Sequence, residues 1–267
     1  MFRGNYNFFE YKYNIENYHG QDYGSFAQYF YLIISIILII VLLIILRKSS
    51  REKVNSIIKF IGIFMIVFYI IKTTWESYYD IKLSGSFNTG LLPFDTCSII
   101  MYACLISGFC KGKVKKYADA WLVTGGMVGG IAAMLFLNAF KYYPFLSFGA
   151  FYSMIWHFLM VFVALLLVVT GYVKINYSVV LHGFAFHFVI SIVVIIIDFI
   201  YNFDFMLYLH LSSIPYFEDI ASKLTSMNMQ MLNPLLMLFL YFVAFNIIYL
   251  FYLIIRKFKI VYNTFNN

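Results

Sequence analysis

The sequence predicts an all-α protein, a polytopic membrane bundle of seven transmembrane helices, from three observations. Hydrophobic residues make up 63% of the chain and charged residues only 12%, against about 25% charged in a soluble domain. Seven apolar runs each approach the ~20 residues a helix needs to cross the hydrocarbon layer. The basic residues gather in short clusters beside those runs, as membrane topology requires. That placement makes the formal net charge of +7 a topological signal and argues against nucleic acid as a partner. No window is polar for long enough to hold a second folded domain.

The runs lie at 26–46, 57–78, 91–110, 117–140, 149–171, 178–201 and 233–255. Residues 1–25 are polar and aromatic, without a basic segment leading into a short apolar one, and read as a tail rather than a cleaved signal peptide. Residues 26–255 form the transmembrane domain and 256–267 a basic tail. Lys and Arg number four in 47–53, four in 111–116, one in 172–177 and three in 256–267, against five in the N-terminal tail and the loops between. Basic segments stay in the cytoplasm, so the N-terminus is expected outside and the C-terminus in the cytoplasm. The fourth run carries "GGMVGGIAAM", where Gly125/Gly129 and Gly126/Gly130 make small-xxx-small spacings that let another helix approach closely.

Each polar residue within a run then acquires a depth, because a helix rises 1.5 Å per residue and alternate spans run in opposite directions. Asp95 and Cys97 fall roughly 6 to 9 Å below the outer end of the third span. His157 on the fifth span falls at a similar level. Glu76, Asn138, Asp198 and Asn202 lie near the outer ends of the second, fourth and sixth spans. An ionisable group in hydrocarbon costs about 2.5 to 3.5 kcal/mol, so several at one level imply a shared polar cavity. On a regular helix Asp95 and Cys97 point about 200° apart, and Cys97 shares a face with Phe94, Met101 and Cys104. A nucleophilic cysteine needs a base, and His157 is the histidine whose depth matches. His187, Ser191 and Asp198 form one stripe on the sixth span, suited to interhelical hydrogen bonds or to a proton path. No His-xxx-His or Cys-xx-Cys pair occurs on any run, so no metal and no other cofactor is expected.

"LLPFDTC", opening the third span, resembles the "LPLHxC" signature of the bacterial YwaF-like integral membrane proteins and the transmembrane protein 164 family. The resemblance continues through "KYYPFLSFGAFYSMIWHF", which places a helix histidine about 60 residues after the cysteine, and more faintly through "YNFDFMLYL" and Pro234. It implies a phospholipid acyltransferase or lipid-ester hydrolase working through an acyl-cysteine intermediate. Cys97 would then be the nucleophile and His157 the general base, with membrane lipids as partners, a phospholipid or other acyl donor as substrate, and the bacterial cell membrane as location. The chain departs from the signature at Asp95, where the family has histidine. Asn138, Asn202 or backbone N–H groups are candidates to stabilise an oxyanion. Two other readings stay open: a transporter or small-molecule binding protein using His187, Asp198 and Glu76, and a non-catalytic protein whose polar cluster holds the helices together.

Overall fold

A computed structural model describes residues 7–11, 24–136, 143–209, 218–227 and 229–265. Within them the chain forms α1 (Phe26–Leu46), α2 (Arg51–Ser84), α3 (Ile99–Phe109), α4 (Gly112–Val123), α5 (Gly125–Phe136), α6 (Phe148–Val169), α7 (Tyr177–Tyr201), α8 (Glu218–Ser226) and α9 (Asn233–Phe265). Seven stretches are long and apolar enough to cross a membrane: Phe26–Leu46, Arg51–Ser84, Thr89–Phe109, Gly112–Leu135, Phe148–Val169, Tyr177–Tyr201 and Asn233–Ile255. The described residues contain no strand, so the expected all-α seven-span architecture holds.

Helix ends follow local chemistry. Ser25, Ser50 and Ser147 take the N-cap positions of α1, α2 and α6, and their hydroxyls accept from the backbone N–H three residues on, which satisfies a donor the first turn leaves over. Gly85 ends α2 at φ 75°, a left-handed C-cap that suits glycine.

Two expected spans are not single regular helices. The fourth divides at Thr124, whose hydroxyl donates to Ala120 O at 2.8 Å and whose ψ of −76° leaves the helical path; two glycines follow. The third begins as short 3-10 turns at Thr89–Leu91 and Thr96–Ser98 and becomes α-helical only at Ile99. Pro93 is the local cause, since it lacks an N–H and disfavours helix for the residue before it; Leu92 is extended at ψ 147°.

Neither expected tail is a simple tail. Residues 7–11 lie across the α2 and α6 ends: Phe148 N donates to Phe8 O at 2.7 Å, Trp75 Nε1 to Phe9 O at 3.1 Å and Tyr11 OH to Asp80 Oδ1 at 2.7 Å. At the other end α9 runs on to Phe265, so the basic segment after residue 255 extends a helix. The connection after α7 also folds inward, burying Phe205, Met206 and Tyr208. Burial pushes the Tyr208 phenol above its ordinary range, and it donates to Ser191 Oγ at 2.5 Å.

Helix α6 is central, burying Ala150, Trp156, Met160, Val163, Ala164 and Leu167 among others against α1, α2, α4 and α5. Of the glycines in α5, Gly125, Gly129 and Gly130 stand where another helix comes close, whereas Gly126 does not. A Cβ on Gly130 would meet Val161 Cγ2 at 2.7 Å, Met160 Cβ at 3.0 Å and His157 O at 3.2 Å, whereas one on Gly126 would meet nothing closer than 3.8 Å. Gly130→Ala is therefore expected to destabilise the bundle by about 1–3 kcal/mol through overpacking. Gly126→Ala should be neutral, or stabilising by about 0.5–1 kcal/mol from helix propensity. Thermal unfolding in detergent separates them; equal shifts would contradict the close approach of α5 to α6 at His157.

Candidate functional site

The site is built on the irregular start of the third span. Backbone outside a helix at membrane depth survives only where protein groups satisfy it or it lines a cavity, and here both conditions are met. Tyr69 OH from α2 donates to Leu91 O, Tyr102 OH from α3 to Pro93 O at 3.4 Å and Trp156 Nε1 from α6 to Cys97 O at 3.0 Å. The Thr96 hydroxyl pairs with Tyr241 OH of α9 at 2.5 Å. Side chains from four helices thus fix a segment that has no regular ladder of its own.

This segment, α2 and α6 enclose a cavity of about 90 Å³. Its wall includes Asp95 and Cys97 from the turn, Tyr69 and Lys72 from α2, and Tyr152, Trp156 and His157 from α6. The expectation that Asp95 and Cys97 face opposite ways is overturned. It assumed a regular helix, but Asp95 is extended (φ −62°, ψ 152°) and Cys97 sits in the 3-10 turn after it, so both reach one cavity. Cys97 and Phe94 are packed against the core cluster that holds Met101 and Cys104.

His157 Nδ1 is 2.8 Å from Ser153 O. A carbonyl only accepts, so Nδ1 is the donor in this pair, and in a neutral imidazole the lone pair then falls on Nε2. Cys97 and His157 share the cavity wall, and among the described residues no hydrogen bond joins sulfur to imidazole. All three cysteines are free thiols; Cys104 is buried in the core and Cys110 exposed beyond the end of α3. No group of three or more His, Cys, Asp or Glu side chains gathers as a metal site among the described residues.

The model of the TMEM164 family matches residues 23–255, which takes in all seven spans and the cavity. The chain belongs to the TMEM164 family. No curated protein and no solved structure matches it. The likeness to the YwaF-like proteins rests on the sequence motifs alone. As a TMEM164-family member it is a multi-pass integral membrane protein, with lipid around its apolar faces.

Of the other expected site residues of this TMEM164-family chain, Glu76, His187, Asp198 and Asn202 are not among the residues that line the cavity. Glu76 is 2% exposed, pairs with Lys72 and accepts from Tyr143 OH. Burial and that carboxylate hold the Tyr143 phenol well above its usual range, so it stays a donor. His187 is fully buried; its Nδ1 accepts from Trp121 Nε1 at 3.4 Å, and its ring lies 4.2 Å from that of Tyr241. Asp198, also fully buried, accepts from Phe205 N at 3.2 Å and so anchors the chain after α7. Asn202 is the exposed, left-handed C-cap of α7 at φ 54° and is not among the residues around the cavity. Asn138 lies outside the described residues. Sequence reasoning missed Tyr69, Tyr152 and Trp156 as cavity residues. Lys72 carried a legible signal, a lysine four residues before a glutamate within an apolar run.

Proposed function

We propose that this chain is a lipid acyltransferase that carries the acyl group on Cys97. The observation behind the reading is that Cys97 and His157 line one cavity, with the histidine tautomer set by Ser153 O. The separation of thiol and imidazole in the free protein suits a pair that closes on bound substrate, since catalytic hydrogen bonds often tighten only in the complex.

In the first half-reaction Cys97 Sγ attacks the ester carbonyl of a lipid and its proton passes to His157 Nε2. The ester C–O bond breaks, and His157 returns the proton to the departing alkoxide, releasing a lysolipid. In the second, an acceptor hydroxyl gives its proton to His157 and attacks the thioester; the C–S bond breaks and the thiolate recovers the proton. Water as acceptor would make the same machinery a hydrolase. Thr96 and Cys97 occupy the first turn of a helix, whose leading N–H groups lack intrahelical partners, and these suit an oxyanion better than Asn202 does. With the basic segments in the cytoplasm, the cavity lies in the outer half of the membrane.

A lipid-like thiol-reactive probe, followed by mass spectrometry of the modified peptides, tests the reading. Cys97 is expected to react in preference to Cys104 and Cys110. Equal labelling of all three would remove the nucleophile and leave Cys97 as packing.

A further inference from the structure

A lysine within an apolar span is costly and demands a partner or a use. Lys72 has the partner: Glu76 lies one turn along α2 and pairs with it. The pair does not exhaust the ammonium, which has three N–H donors. The Glu76 carboxylate in turn is shared with Tyr143 OH, so its capacity is partly taken from the other side. The Lys72 side chain is 18% exposed and its Nζ lies 5.6 Å from the centre of the Tyr152 ring. Both Lys72 and Tyr152 are walls of the Cys97 cavity, in which Lys72 is the sole cation among the described lining residues. The cation of this pair lines the cavity that Cys97 also lines.

We infer that Lys72 is the anchor for the phosphate of the lipid substrate, holding the headgroup so that an ester carbonyl lies at Cys97 Sγ. The inference rests on the acyl-cysteine reading. In a bilayer the anion available at the level of a span end is the lipid phosphate, and a charge-assisted N–H to phosphate oxygen contact is among the stronger hydrogen bonds a protein makes. Lys72 would thus set a preference for phosphate-bearing lipids over neutral glycerides without taking part in bond making.

The test separates binding from chemistry. Removing the cation alone leaves Glu76 buried without it, so the informative variant is the neutral pair Lys72→Met with Glu76→Gln, its folding checked by thermal unfolding, alongside Lys72→Arg. Binding is measured on Cys97→Ala protein in neutral detergent micelles, with phosphatidylcholine and with the diacylglycerol of the same acyl chains. Phosphatidylcholine affinity is expected to fall about tenfold or more in the neutral pair, with diacylglycerol affinity unchanged and Lys72→Arg close to the parent. Equal losses for both lipids, or no loss for phosphatidylcholine, would overturn the headgroup assignment. Acylation of Cys97 is followed separately in protein with Lys72 and Glu76 intact. Absence of acyl-enzyme there, with phosphate-dependent binding retained, would refute the catalytic reading and leave a phospholipid-binding site.

Discussion

Cys97→Ala is expected to abolish the acyl-enzyme altogether while leaving a folded bundle. Alanine at this position has no group that can hold an acyl chain. Its neighbours, moreover, are held by contacts that alanine preserves: Cys97 O still accepts from Trp156 Nε1, and the Thr96 hydroxyl still pairs with Tyr241 OH. Losing one small, partly enclosed sulfur should cost about 1 kcal/mol, at the low end for core truncations. Incubation with an ester donor followed by intact-mass measurement gives a direct answer. An acyl adduct of unchanged amount in Cys97→Ala would place the chemistry elsewhere and sink the proposal.

His157→Ala should slow acylation of Cys97 by about a hundredfold or more, the usual scale for removing a general base. The bond from Nδ1 to Ser153 O lies within one helix turn, so its loss should disturb packing little. His157→Gln fills similar space but offers no basic nitrogen, and is expected to be as slow. If acylation ran at the parent rate in both, the imidazole would be a helix-packing group and Cys97 would act without it. A rate lost in alanine and recovered in glutamine would mean that shape, not basicity, was required.

The spans were legible because long apolar runs flanked by basic clusters have few alternatives at this length. Depth arithmetic also served well: Asp95, Cys97 and His157 were assigned one level, and they meet in one cavity. Depth is a single coordinate, however. It says nothing of direction around the helix axis, which is why Asn202 matched by height yet is an exposed cap. The orientation of Asp95 against Cys97 was misread for a related reason, since helical periodicity was carried through Pro93, where the backbone leaves the helix. The side chains that hold the irregular turn, Tyr69, Trp156 and Tyr241, are as aromatic as dozens of others in a chain with 24 Tyr, 31 Phe and 3 Trp. Nothing local marks them; only the fold selects them.

The turn around Cys97 also bears on how the protein matures. A nascent third span closes only part of its own hydrogen bonding here, because Cys97 O waits for Trp156 and Thr96 for Tyr241, which are translated 59 and 145 residues later. Until those later helices enter the membrane, the thiol has neither its turn nor its histidine. On the proposed acyl-cysteine reading, the nucleophile is assembled only in the completed bundle, so that quality control of assembly and onset of activity become the same event.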